Sequence, residues 1–155
     1  YKLLKPVNEN HAKLMVLLAV LSVPVFFLNV QNLFTVHSLV SDVSNQFGFP
    51  AEQTQTQVML YLKQYDNGLT IVHIFSGLWL LPFGYLVFKS GFLPKVLGIL
   101  LMMGCFGYLI NFIGDTLVPN YSKMGIASYI QMPASVGEIG TCLWLLIMGA
   151  KNKIK

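Results

Sequence analysis

Four predominantly apolar stretches of this chain run for at least 19 residues without a lysine or an aspartate, and each is bounded at both ends by one of these two residue types. They cover residues 14–41, 67–88, 96–114 and 124–150, and Glu138 in the last is the one charged side chain within them. About 20 apolar residues in a helix cross the roughly 30 Å hydrocarbon core of a bilayer. The pattern predicts an all-α polytopic bundle, a single transmembrane domain over residues 1–155 with four spans.

The composition excludes the other classes of protein. Only 10% of the residues are charged, 55% are hydrophobic, and the mean hydropathy is +0.64. Soluble domains carry roughly 25% charged residues, and disordered chains are more polar still. The protein is therefore expected to lie in a lipid bilayer.

The positions of the lysines predict the orientation of the spans across the membrane. With four spans, the N-terminus, the turn at residues 89–95 and the C-terminal tail share one side, which holds eight of the ten lysines. The positive-inside rule makes that side cytoplasmic, so both termini are expected in the cytoplasm of a multi-pass plasma membrane protein. The net charge of +4 then reflects topology, and no nucleic-acid partner is expected.

The segment from Asp42 to Asp66 is the longest polar part between two spans. Pro50 can open a helix there, because proline suits a first helical turn. We therefore expect a short extracytoplasmic helix, and the sequence leaves two interpretations of it open. The helix lies on the membrane surface, or it forms a lid over the residues below.

Glu138 is the outstanding residue at membrane depth. It stands 13 residues before Lys151, or about 20 Å along a helix. Such a group is costly in hydrocarbon and usually faces the bundle interior or a water-filled cavity. Counting from the inner lysines gives three polar residues at a similar depth, each 16 residues from its lysine: Asn29, His73 and Asn111.

These four residues allow two main interpretations. In the first, Glu138 is the titratable group of an outer-half polar site, with His73, Asn111 and Asn29 as partners, and the site binds or moves a small ligand, ion or proton. In the second, the protein has a structural or interaction role, and the polar residues only fix helix packing, as interhelical hydrogen bonds often do.

Catalytic and cofactor signatures do not occur in the sequence. No HExxH, CxxC, GxSxG, Walker or GxGxxG pattern is present. Cys105 and Cys142 both fall within predicted spans, where they are typical of small buried hydrophobic residues. We therefore expect no catalytic residues, no metal site and no cofactor. An intramembrane enzyme that uses Glu138 as general acid or base is a third, less favoured interpretation.

Several runs of the sequence resemble a known family. They are the stretch from His73 to Leu101 with its turn Lys-Ser-Gly-Phe-Leu-Pro-Lys, the segments 107–110 and 137–139, Leu-Trp-Leu-Leu at 143–146, and the opening Leu-Lys-Pro-Val-Asn. They are similar to a bacterial membrane-protein family catalogued as domain of unknown function 4386. The resemblance covers nearly the whole chain and implies no activity. It implies a six-helix parent of which this chain, starting at Tyr1, carries the last four helices.

Overall fold

The computed structural model describes residues 1–41 and 48–149, without the side chains of residues 122 and 123. Within these ranges the ordered elements are helices and there is no strand. They are α1 (Glu9–Val40), α2 (Ala51–Leu78), α3 (Leu80–Lys89), α4 (Lys95–Leu117), a short 3-10 helix (Tyr121–Met124) and α5 (Ile126–Met148). Four helical segments are long and apolar enough to cross a membrane, which confirms the predicted all-α bundle with four spans.

Helix α1 starts before the predicted apolar stretch. Its N-cap is Asn8, whose side-chain Oδ1 accepts a hydrogen bond of 3.0 Å from the backbone N–H of His11. This cap satisfies one of the free N–H groups of the first turn, so the helix begins at Glu9 rather than near residue 14. Pro24 lies inside α1, and the helix continues through it to Val40.

The polar outer segment is helical, but it is not a separate helix. Pro50 precedes the first turn as predicted, and α2 then runs without interruption from Ala51 to Leu78. The expected short extracytoplasmic helix, lying on the membrane or forming a lid, is thus wrong for these residues. Residues 51–66 contain no glycine or proline, and a helix propagates through backbone hydrogen bonds wherever nothing breaks it. Residues 42–47 of this segment lie outside the described residues.

The second span is interrupted at Trp79, between α2 and α3. Pro82 has no N–H to donate to the carbonyl of Leu78, and its ring crowds that carbonyl, which lies four residues earlier. The backbone hydrogen bonds on either side of Pro82 persist. Trp79 N–H donates to Phe75 O and Phe83 N–H donates to Trp79 O, each at 3.2 Å. The interruption therefore bends one span of residues 51–89 without dividing it.

The fourth span is preceded by a tight turn. Asn120 and Gly125, at either end of the 3-10 helix, both have a left-handed backbone, with φ of 60° and 70°. Helix α5 consequently begins at Ile126, slightly later than the predicted residue 124. Its predicted end at Ala150 lies outside the described residues, and Met148 is the last residue of the helix.

The spans pack in chain order. Helix α1 lies against α2 and α3, α4 also lies against α2 and α3, and α5 packs on α4. The buried cluster at the centre joins α3, α4 and α5 and includes Leu80, Val87, Leu101, Cys105 and Ala134. Helix α4 is thus the central helix, with neighbours from both halves of the chain.

Small residues bring α4 and α5 into close contact. A Cβ added to Gly104 would lie 2.6 Å from Ala134, and one added to Gly107 would lie 2.5 Å from the carbonyl oxygen of Ile130. These distances leave no room for a side chain, as in other membrane helix pairs with small residues at their interface. This contact fixes the rotation of α5 and therefore the direction in which its polar residues point.

Candidate functional site

Glu138 lies at the edge of the interface between α5 and α4. Its neighbour Gly137 is buried against Leu101, and Ala134 and Thr141 are also buried on this face. Glu138 is one position further round the helix and is half-buried. Its carboxyl group is therefore directed to the side of the interface, where the adjacent helix supplies the next polar group.

That group is the phenol of Tyr108 on α4. Tyr108 is half-buried, interacts with the side chain of Gln131 on α5, and lies within electrostatic range of Glu138. On its other side, its ring centroid is 5.8 Å from that of His73 on α2. Helix α2 can approach this closely because Gly77 has no side chain. A Cβ added there would lie 2.7 Å from Tyr108 Cβ. Tyr108 thus lies between the two titratable candidates.

We call His73, Tyr108, Gln131 and Glu138 the polar cluster. It involves three helices and is open to the surface, because His73 is exposed and the other three members are half-buried. The four predicted spans contain no lysine. Within the described residues, both ion pairs are made by Glu9 at the start of α1. Glu138 therefore lies beside neutral hydrogen-bonding groups without a lysine partner.

Asn29, a second predicted partner, lies elsewhere. It is 7% exposed at the contact between α1 and α2, and its Nδ2 donates to the backbone oxygen of Tyr65 at 2.9 Å. Its Oδ1 accepts a hydrogen bond of 3.1 Å from Asn32 Nδ2. Gly68 faces this amide so closely that an added Cβ would overlap Asn29 Oδ1. The Asn29 amide therefore holds α1 against α2 through its Nδ2, while its Oδ1 is bonded within α1.

Asn111, the third predicted partner, is engaged in the same way. Its Nδ2 donates to the backbone oxygen of Ala127 at 3.0 Å, and its Oδ1 accepts a hydrogen bond of 2.8 Å from the hydroxyl of Tyr121. Asn111 and Tyr121 are each 9% exposed. The amide thus joins α4 to the 3-10 helix and to the first turn of α5, on the outer side of the polar cluster.

Two of the four predicted residues lie near the same side chain, Tyr108, which the prediction did not include: His73 is its ring neighbour, and Glu138 is within electrostatic range of it. Tyr108 is 13 residues from Lys95, as deep as Glu138 is from Lys151. Counting hydroxyl groups together with amides, imidazoles and carboxylates would have found it. Gln131, seven residues before Glu138 on α5, also interacts with Tyr108.

A metal centre has no support in the described part of the chain, where no three His, Cys, Asp or Glu side chains come together. What the polar cluster offers chemically is one carboxyl group, one phenol, one imidazole and one amide. Such groups can accept and donate hydrogen bonds in series, and a carboxylate can also hold a cation.

Comparisons with known proteins identify relatives but no activity. The profile of a family described as a domain of unknown function, DUF4386, matches residues 1–149. An uncharacterized protein of Archaeoglobus fulgidus is 30% identical over 151 residues, which cover 97% of this chain and 73% of that relative. No solved structure matches the chain. Since the relative is archaeal, it does not confirm the expectation of a bacterial family.

Proposed function

This chain belongs to the DUF4386 family, and from that premise we propose that it is an integral membrane protein whose polar cluster binds or moves a proton or a small cation at Glu138. Tyr108 is the neighbour of Glu138 in this site, His73 and Gln131 adjoin Tyr108, and Asn111 and Asn29 hold the surrounding helices in place. By the positive-inside rule, both termini lie in the cytoplasm.

The outward faces of the helices support the membrane location. Leu28 in α1 is 71% exposed and Leu146 in α5 is 81% exposed. Many large apolar side chains of all four span-length segments are exposed in the same way. A soluble protein rarely shows apolar surface on this scale, whereas lipid tails solvate it well.

The observation that carries the proposal is the position of Glu138. A carboxyl group near mid-depth costs about 2.5–3.5 kcal/mol on insertion scales, so it is seldom placed there without a partner. Its described surroundings offer neutral donors and acceptors and no lysine, so a positive charge for this carboxylate would have to come from outside the bundle. A proton or a small cation fits that requirement.

Proteoliposomes that enclose a pH-sensitive dye test the proposal. With an outward pH gradient, and separately with Na⁺ or K⁺ gradients, the chain should dissipate at least one gradient faster than protein-free liposomes. Glu138→Gln should slow that flux by about a hundredfold, the lower end of what a positioned proton-transfer group contributes. Glu52→Gln, at an exposed position in the first turn of α2, is the matched control. Equal flux in wild type and Glu138→Gln would contradict the proposal.

A structural role is the second candidate, and a specific observation favours it. The amides of Asn29 and Asn111 each donate a hydrogen bond to the backbone of a neighbouring helix, so polar groups in this chain do fix packing. If Glu138 acts in the same way, Glu138→Gln will change the unfolding midpoint and leave every gradient unaffected.

A further inference from the structure

A second chemically distinct surface lies at the opposite end of the molecule from the 3-10 helix. It carries five exposed lysines, which we call the basic surface: Lys2, Lys5, Lys13, Lys89 and Lys95. They come from three parts of the chain, namely the N-terminal segment, the start of α1, and the two sides of the turn between α3 and α4.

One apolar cluster joins these three parts. Leu4, Ala12 and Leu86 are buried together, and Phe92 of the turn packs against them. His11 in the first turn of α1 also stacks on Tyr85 of α3, with ring centroids 4.5 Å apart. The N-terminal segment is thus held against α3 and its following turn, so the five lysines lie at the same end of the bundle.

The basic surface has a large excess of positive charge. Glu9 is the carboxylate at this end of the described chain, and it is shared between Lys13 and Lys5, at N–O distances of 3.0 and 3.6 Å. The ion pairs of the described residues leave Lys2, Lys89 and Lys95 without an acidic partner. Both faces of the α3–α4 turn therefore present unneutralised ammonium groups.

Two of these ammonium groups lie beside aromatic rings. Lys95 Nζ lies 5.7 Å from the ring centroid of Phe88, and Lys5 Nζ lies 5.9 Å from that of Tyr1. Tyrosine is enriched in the headgroup layer of a bilayer, so the Lys5 ammonium beside Tyr1 is expected at the level of the lipid phosphates. Phe88 holds the Lys95 ammonium beside the α3–α4 turn.

We propose that the basic surface binds the headgroups of anionic phospholipids, with Lys89 and Lys95 on the two sides of the α3–α4 turn as its centre. A juxtamembrane lysine near an anionic leaflet strengthens binding by about fivefold at physiological ionic strength. The attraction comes from charge and depends on the lipid phosphate being held at the surface of a bilayer. This inference does not depend on the role of Glu138.

The test measures thermal unfolding of the detergent-solubilised chain while phosphatidylglycerol or phosphatidylcholine is added. Phosphatidylglycerol should raise the unfolding midpoint at lower concentration than phosphatidylcholine. In the double variant Lys89→Gln/Lys95→Gln the apparent affinity should fall by about fivefold for each lysine removed. Lys89→Arg/Lys95→Arg should keep it, because the charge is retained. Lys63→Gln, at an exposed position of α2 on the opposite side, should also leave it unchanged.

Three results would overturn the inference. One is equal stabilisation by the two lipids, and another is an equal loss with Lys63→Gln. The third is stabilisation by inorganic phosphate alone that matches phosphatidylglycerol, because the surface would then bind free phosphate. The midpoints of all variants without lipid provide the folding control, because the substituted lysines are exposed but Lys95→Gln also removes the contact with the Phe88 ring.

Discussion

At the scale of single residues, buried amides have a clear structural role in this protein. Asn111 donates to Ala127 O and accepts from Tyr121, so both polar atoms of its side chain are bonded while it is almost fully buried. A buried polar group that loses its partner costs more than the bond it made contributes. The outer turn should therefore depend on this one side chain.

Replacing Asn111 tests that dependence. Asn111→Leu removes both hydrogen bonds and leaves the Tyr121 hydroxyl and the Ala127 carbonyl without this partner, so the free energy of unfolding should fall by about 2 kcal/mol. Tyr121→Phe removes one bond and should cost less, about 0.6 kcal/mol. Unfolding in mixed micelles measures both. Thr116→Val is the control, because Thr116 is exposed and bonds only to its own helix. Equal effects of all three would contradict this account.

His11 presents the opposite case. Its ring stacks on Tyr85, but its Nδ1 is buried without a hydrogen-bond partner among the described residues. His11→Phe keeps the stacking and removes the unbonded nitrogen, so the free energy of unfolding should rise by about 1 kcal/mol. His37→Phe, at an exposed position of the same helix, should have little effect. A lower unfolding midpoint for His11→Phe would show that Nδ1 makes a bond that matters.

Depth along the helices was the part of the site that the sequence could predict. His73 and Glu138 are each near Tyr108, and their assignment to one site stays a prediction, because the sequence does not give the rotation of each helix about its axis. That rotation depends on close contacts such as Gly104 against Ala134, which directs Asn111 to α5 while Glu138 remains at the edge. The assignment of Asn29 as a partner of Glu138 stays a prediction without a contact.

At the scale of helices, α1 and α2 form a pair that depends on one small residue. Gly68 of α2 lies directly against the side chain of Asn29, whose amide crosses to the backbone of Tyr65. Any side chain at Gly68 would have to displace the amide and its hydrogen bond. The contact therefore requires both residues at once.

Substituting Gly68 tests the pair. Gly68→Ala should lower the free energy of unfolding by about 2 kcal/mol, because overpacking at a tight contact is costly. Gly140→Ala is the matched control, since its added Cβ would meet only the movable end of the Leu97 side chain. Mixed-micelle unfolding compares the two. A smaller effect at Gly68 than at Gly140 would contradict the tight contact.

The sequence predicts a helix boundary where a proline changes the backbone hydrogen bonding. It does not predict one where a helix only passes from a polar to an apolar segment. Pro50 marked the start of α2, and Pro82 explains the interruption at Trp79. The charged residue Asp66 was a poor boundary, because the helix passes through it from a polar to an apolar segment. A charged residue therefore indicates where a helix is expected to leave the membrane, but it does not indicate where the helix ends.

At the scale of the whole molecule, the four spans follow chain order and leave α1 and α5 at the two edges. Length and hydropathy predict the number of spans, since each needs about 20 apolar residues. The arrangement is not predictable in this way, because apolar helices have no hydrophobic preference among themselves in lipid and are ordered by small residues and hydrogen bonds. The polar cluster results from that arrangement, where α2, α4 and α5 meet around Tyr108.

A double-mutant cycle on Glu138 and Tyr108 tests the central claim, that these residues act together as one site. The gradient-dissipation rates of Glu138→Gln, Tyr108→Phe and the double variant are compared with that of the wild type in proteoliposomes. If the two residues act in one site, they should be coupled by about 0.5 kcal/mol or more, so the double variant should lose less than the product of the two single losses. Fully additive losses, or no loss in any variant, would contradict the account.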